Sequence, residues 1–127
     1  MSARFLNADL EITSHQSLDA LVHCVADRAC NLYCGTFEAD LYLATFEIPA
    51  GETDRDPELL IHRLCDLWSA FTPAVHMLVK DAKRRVIDLG YETDSDQEPM
   101  KLELSAATLS RLATLEVGLA FTLYCQE

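Results

Sequence analysis

Apolar and polar residues alternate from the first turns of the chain. Over 4–13, Leu6, Ala8, Leu10 and Ile12 fall on one side, and Phe5, Asn7, Asp9 and Glu11 on the other. That period of two predicts a half-buried strand. The spacing then changes. After Ser14 or Ser17 as N-cap, Leu18, Leu21, Val22, Val25 and Ala29 recur at helical intervals, which predicts a helix over 18–29. Residues 31–37 read as a second strand, with Gly35 either a bulge or the start of a turn. Glu38, Ala39 and Asp40 form a hairpin connection to a third strand over 41–48. There Tyr42, Ala44, Phe46 and Ile48 share one face, while Leu41 and Leu43 lie on the other with Thr45 and Glu47.

Helix starts are written more explicitly. Asp56-Pro57 and Thr72-Pro73 each place an oxygen acceptor at the N-cap and proline at the first helical position. The first opens an apolar stripe of Leu60, Ile61, Leu64, Cys65, Trp68 and Phe71; the second predicts a helix over 73–83. Lys80, Lys83, Arg84 and Arg85 are expected to close that second helix, where positive charge meets the negative end of the dipole. A fourth strand over 86–92 follows, with Ile87, Leu89 and Tyr91 against Asp88, Gly90 and Glu92. Residues 93–99 form a polar loop, and 100–104 a short strand. Ser105 caps a last helix carrying Leu109, Leu112, Ala113 and Leu115, Gly118 breaks it, and 119–124 is a closing strand.

The order of the first two thirds, β-α-β-β-α-β, is that of a ferredoxin-like unit. A C-terminal β-α-β extension follows. The expected architecture is α+β in a single domain over 1–127: a mostly antiparallel sheet with helices on one face. A chain of 127 residues and 50% hydrophobic composition can bury roughly two thirds of its extended surface, enough for a core without staples.

Composition narrows the function classes. A net charge of -11, from 21 acids against 10 bases, disfavours nucleic acid and anionic lipid and permits a cationic protein partner or a divalent metal. No apolar run approaches the length of a membrane span, and no secretory segment opens the chain. Five cysteines, an odd number, fit buried thiols in a reducing cytoplasm.

Topology gives the acidity a location. In a ferredoxin-like unit the first strand sits between the third and fourth. The outward faces of those strands then gather Asp9, Glu11, Glu47, Asp88 and Glu92 into one candidate binding face, extended by Glu103 and offset by Arg4 or Lys101. Like charges on adjacent strands repel, so a bound cation or basic partner is one compensation. Leu41 and Leu43 on the same side motivate a homodimer contact.

No metal and no cofactor is expected. Cys24, Cys30 and Cys34 follow His23 closely but not at zinc-site spacing, and the pairs Asp54/Asp56 and Asp94/Asp96 do not fit a calcium loop. The histidines His15, His23, His62 and His76 belong to no motif, and no nucleotide, protease or hydrolase signature occurs.

The stretch from Arg84 to Glu92, then Leu102-Glu103-Leu104-Ser105, Leu109 to Leu115 and Leu123-Tyr124, resembles small uncharacterised bacterial proteins of a domain-of-unknown-function family. The opening run from Phe5 to Ile12 looks like the start of one proteobacterial subgroup. Some related small acidic proteins are thought to act as immunity factors against toxins, so the resemblance implies an immunity-like role. It carries over no catalytic residue. The expected function is a non-enzymatic cytoplasmic binding or interaction protein. The alternatives are a small enzyme with a carboxylate/histidine site including Asp88, Glu92 or His76, and a structural homodimer without ligand.

Overall fold

A computed structural model describes residues 4–49, 56–93, 99 and 101–125. Five strands, β1 (Arg4–Ser14), β2 (Cys30–Thr36), β3 (Tyr42–Glu47), β4 (Arg84–Thr93) and β5 (Gly118–Cys125), form one sheet in the order β2-β3-β1-β4-β5. The first four pair antiparallel and β5 joins β4 in parallel, so the ferredoxin-like core and the α+β class are as the element order implies. The helices are α1 (Asp19–Cys24), α2 (Pro57–Asp66) with a 3-10 turn (Leu67–Ala70), α3 (Pro73–Lys80) and α4 (Ala106–Leu115).

Alternation in the strands builds the core. Leu10 and Ile12 on β1, Phe46 on β3 and Ile87 and Leu89 on β4 are fully buried against Leu21, Ile61, Leu64 and Val79 from the helices. Each such side chain contributes about 1.5–3 kcal/mol on removal from water. The opposite sheet face carries no helix among the described residues.

Both proline-led caps form as written: Asp56 Oδ2 accepts from Leu59 N at 3.1 Å, and Thr72 Oγ1 from Val75 N at 3.2 Å. Ser105 Oγ accepts from Thr108 N at 3.2 Å in the same way.

Several expectations are corrected. The first helix ends at Cys24 rather than 29; a run of turns, with Ala29 N donating to Val25 O, still keeps Val25 and Ala29 buried. In β2 the irregularity falls between Asn31 and Tyr33, not at Gly35, which pairs regularly with Leu43. In β1 a bulge between Phe5 and Asn7 turns Phe5 to the helix-bearing side, opposite Tyr91, with ring centroids 5.4 Å apart. An extra unpaired residue reverses the facing of everything beyond it.

The basic run divides differently from the expected helix end. The helix stops at Lys80, and Arg84 and Arg85 begin β4. Arg85 nevertheless reaches back to that helix end. Its Nη1 donates to the carbonyls of Val79, Lys80 and Ala82 at 3.0, 3.3 and 2.9 Å, and its Nε to Glu116 O at 3.0 Å. The last helix ends at Leu115, capped by Glu116 in the left-handed conformation (φ 59°) two residues before Gly118, which instead opens β5. No strand forms over 101–104, the described part of the expected 100–104 strand. Its Leu102 and Leu104 alternate because they pack on the core from an extended segment, while both edges of β4 are taken by β1 and β5.

Candidate functional site: the outward face of the sheet

Register brings the acidic residues together. Asp9 and Asp88 are direct cross-strand partners, and Glu11 lies opposite Thr45 on one side and Val86 on the other. Three of the five acids are answered by a neighbour, while Glu47 lies opposite Cys30 at the end of β3. Glu11 takes an ion pair from Arg84 Nη1 at 3.2 Å, and Glu92 one from Arg4 Nη2 at 2.9 Å. Thr122 Oγ1 on β5 lies 2.9 Å from both carboxylate oxygens of Asp88 and donates to them. The Thr122 contact has no signal in strand alternation alone, since it depends on β5 lying beside β4.

Asp9 is the exception. Its Oδ1 is buried without a hydrogen-bond partner, and among the described residues Oδ2 meets only Asn7 Nδ2 at 3.5 Å. Burial, followed by the negative fields of Glu47, Asp88 and Glu11, pushes the Asp9 carboxyl up to about 6. A carboxyl in that range exchanges its proton near neutral pH and is sensitive to any cation placed beside it.

The other expected members separate. Glu103 is well exposed in the segment before α4, where Lys101 pairs with it at 3.4 Å; neither serves the sheet. Leu41 is buried and Leu43 half-buried. Both wall a cleft of about 650 Å³ at the other end of the same face, together with Phe37, and Glu11, Lys83 and Arg84 also line it. Asp54, Asp94 and Asp96 lie outside the described residues, while Asp56 serves as the N-cap of α2. Among the described residues no group of three or more His, Cys, Asp or Glu side chains is placed to hold a metal ion.

Histidine chemistry is found elsewhere, between helices. His76 sits on exposed α3, edge-on to Phe71, and does not join Asp88 or Glu92. His62 lies in a polar seam between α2 and α4. Its Nε2 is 2.9 Å from Thr108 Oγ1, and Arg111 Nη1 is 3.0 Å from its Nδ1. A guanidinium only donates, so Nδ1 is the acceptor and Nε2 carries the hydrogen toward Thr108. In that tautomer His62 donates to the hydroxyl rather than drawing its proton. Glu58 Oε2 accepts from Ser105 N at 2.7 Å and Asp66 Oδ1 from Arg111 Nη2 at 2.6 Å, completing the seam. The backbone donation from Ser105 holds the Glu58 carboxyl below its ordinary range.

The cysteines are all free thiols. Burial raises Cys65, and burial with the Asp19 carboxylate raises Cys34, so neither is poised as a thiolate. No helix among the described residues is long and apolar enough to cross a membrane. Comparison of the chain with protein-family models, with curated proteins and with solved structures gives no match in any of the three.

Proposed function

We propose that the chain is a non-enzymatic binding protein whose outward sheet face receives a positively charged group of a protein partner. Asp9 carries this reading. Its buried Oδ1 has no donor, and Glu47, Asp88 and Glu11 surround it with like charge. An incoming Lys or Arg would supply the donor and offset the repulsion. It would also lower the Asp9 pKa, so that association near pH 6 releases a proton. An immunity-like role is one form of this reading, with a basic toxin surface as the partner and the cytoplasm as the setting.

Calorimetric titration with a Lys/Arg-rich peptide, in two buffers of different ionisation heat, tests it. Proton release is expected near pH 6 and little at pH 8, and Asp9→Asn should abolish the difference. Binding that survives reversal of Asp9, Glu11 and Glu47 to Lys would remove the proposal.

A second reading, the homodimer, draws on β5. This edge strand has eight residues and no charged side chain, and Phe121, Leu123 and Tyr124 are each about half exposed. Edge strands are ordinarily guarded by charge, proline or a cover. Pairing β5 with its copy would extend the sheet and cover that edge, with the contact at β5 rather than at Leu41 and Leu43. Sedimentation equilibrium decides it: a concentration-dependent dimer lost in Phe121→Lys supports the reading, and a monomer at all concentrations removes it. The enzyme reading would use Asp9, whose carboxyl suits proton transfer near neutral pH, without a histidine, since none of the four lies on a strand.

A further inference from the structure

At the end of the sheet face away from Glu92, the surface chemistry reverses. Phe37 from the β2–β3 hairpin, Leu41 and Leu43 make an apolar wall, and Lys83 and Arg84 stand at the start of β4 beside it. Phe37 is 54% exposed, an aromatic ring left in water at the cleft. The volume, about 650 Å³, lies within the range that takes small ligands.

Charge gives the second half of the argument. Arg84 is engaged by Glu11 at 3.2 Å, in a pair open enough to solvent to exchange partners. Lys83 is anchored through its backbone, its N donating to Thr13 O at 2.8 Å, while its ammonium has no ion-pair partner among the described residues. Two cations against one carboxylate leave a local positive excess in a chain of net charge -11. An apolar wall next to that excess fits one ligand chemistry: an apolar body ending in a single anionic group.

We infer that this cleft is a binding site for a small amphipathic carboxylate, with Phe37, Leu41 and Leu43 holding the apolar body and Lys83 the carboxylate. Arg84 divides its donors between the ligand carboxylate and Glu11. The site borders the acidic cluster around Asp9 at Glu11 but asks for the opposite charge, so either proposal can fail without the other.

The test titrates the chain with decanoate below its micellar range. Parallel titrations use decyltrimethylammonium, acetate and a hydrophobic tripeptide with a free C-terminus. Saturable 1:1 binding of decanoate is expected, with none for acetate and much weaker binding of the cationic amphiphile. Lys83→Glu should weaken decanoate about tenfold or more through loss of a charge-assisted contact. Phe37→Ala should weaken it about tenfold through lost apolar area. Both residues are exposed, so both variants should fold, with thermal midpoints close to the parent's. Equal binding of the cationic amphiphile, decanoate binding indifferent to both variants, or binding of the tripeptide alone would each overturn the inference.

Discussion

Asp9 and Asp88 stand directly opposite each other across the antiparallel β1–β4 pair, but only Asp88 has a hydroxyl donor, Thr122. Two like charges in one cross-strand position destabilise a sheet unless something answers them. Here the answer is divided: the Asp88 charge is hydrogen-bonded, and Asp9 instead holds its proton up to about pH 6.

The pH dependence of stability follows from that value. An acid raised from 3.8 to about 6 in the folded chain binds a proton that the unfolded chain has already lost. Stability therefore falls as pH rises through that window, and the full cost is present above it. Asp9→Asn removes the cost. After allowance for solvent screening at a half-buried group, the variant should gain about 1 kcal/mol at pH 8 and almost nothing at pH 4. Urea unfolding at the two pH values checks this; an equal gain at both would contradict it.

The adjacent arginines Arg84 and Arg85 should differ sharply. Arg85 meets four backbone carbonyls at the ends of α3 and α4, so Arg85→Ala should cost about 2 kcal/mol. Arg84 makes an exposed ion pair with Glu11, and Arg84→Ala should cost well under 1 kcal/mol. Denaturant midpoints of the two variants, compared side by side, read the difference.

Thiol reactivity should follow position in the sheet. Cys30 and Cys125 are exposed on the two opposite edge strands, whereas Cys65 is buried on the core side of α2. A neutral maleimide should modify the two edge cysteines first, and Cys65 only at the rate of unfolding. Mass mapping of a time course would show the order, and early modification of Cys65 would refute it.

The α2–α4 seam offers a further measurement. Thr108 is wholly buried and lies between His62 and Ser105. Thr108→Val keeps the shape and strands the His62 donor, at about 1–3 kcal/mol. A thermal midpoint unchanged from the parent would show that the seam adds nothing to stability.

How far the sequence reveals this molecule depends on the range of the interaction. The buried alternation of Leu10 and Ile12, and the caps at Asp56, Thr72 and Ser105, are local and stand as the pattern implies. The order of the first four strands is the one a ferredoxin-like unit implies rather than one that alternation shows, and it puts Asp9 and Asp88 on adjacent strands. Phe5 departs from the alternation because a bulge leaves no mark in the hydrophobic pattern. Charge alone points Arg84 and Arg85 to a helix end, although only Arg85 serves there, and from the next strand. The cleft is only partly legible: alternation puts Leu43 on the outward face, but Lys83 and Arg84 come from a distant segment and meet the β2–β3 hairpin only in the folded sheet.

The polar seam has a consequence for how the last strand is placed. Glu58, His62 and Asp66 recur at four-residue steps along α2 and meet Ser105, Thr108 and Arg111 in the same order on α4. Apolar side chains would tolerate sliding; these partners work like teeth on a ratchet. A slip of one helical turn, about 5.4 Å, would leave Thr108 and Asp66 facing the wrong groups. Because α4 runs almost directly into β5, such a slip would also carry that strand out of step with β4. The hydroxyl of Thr122 would then no longer reach Asp88, so a helix contact behind the sheet sets which charges on its front are answered.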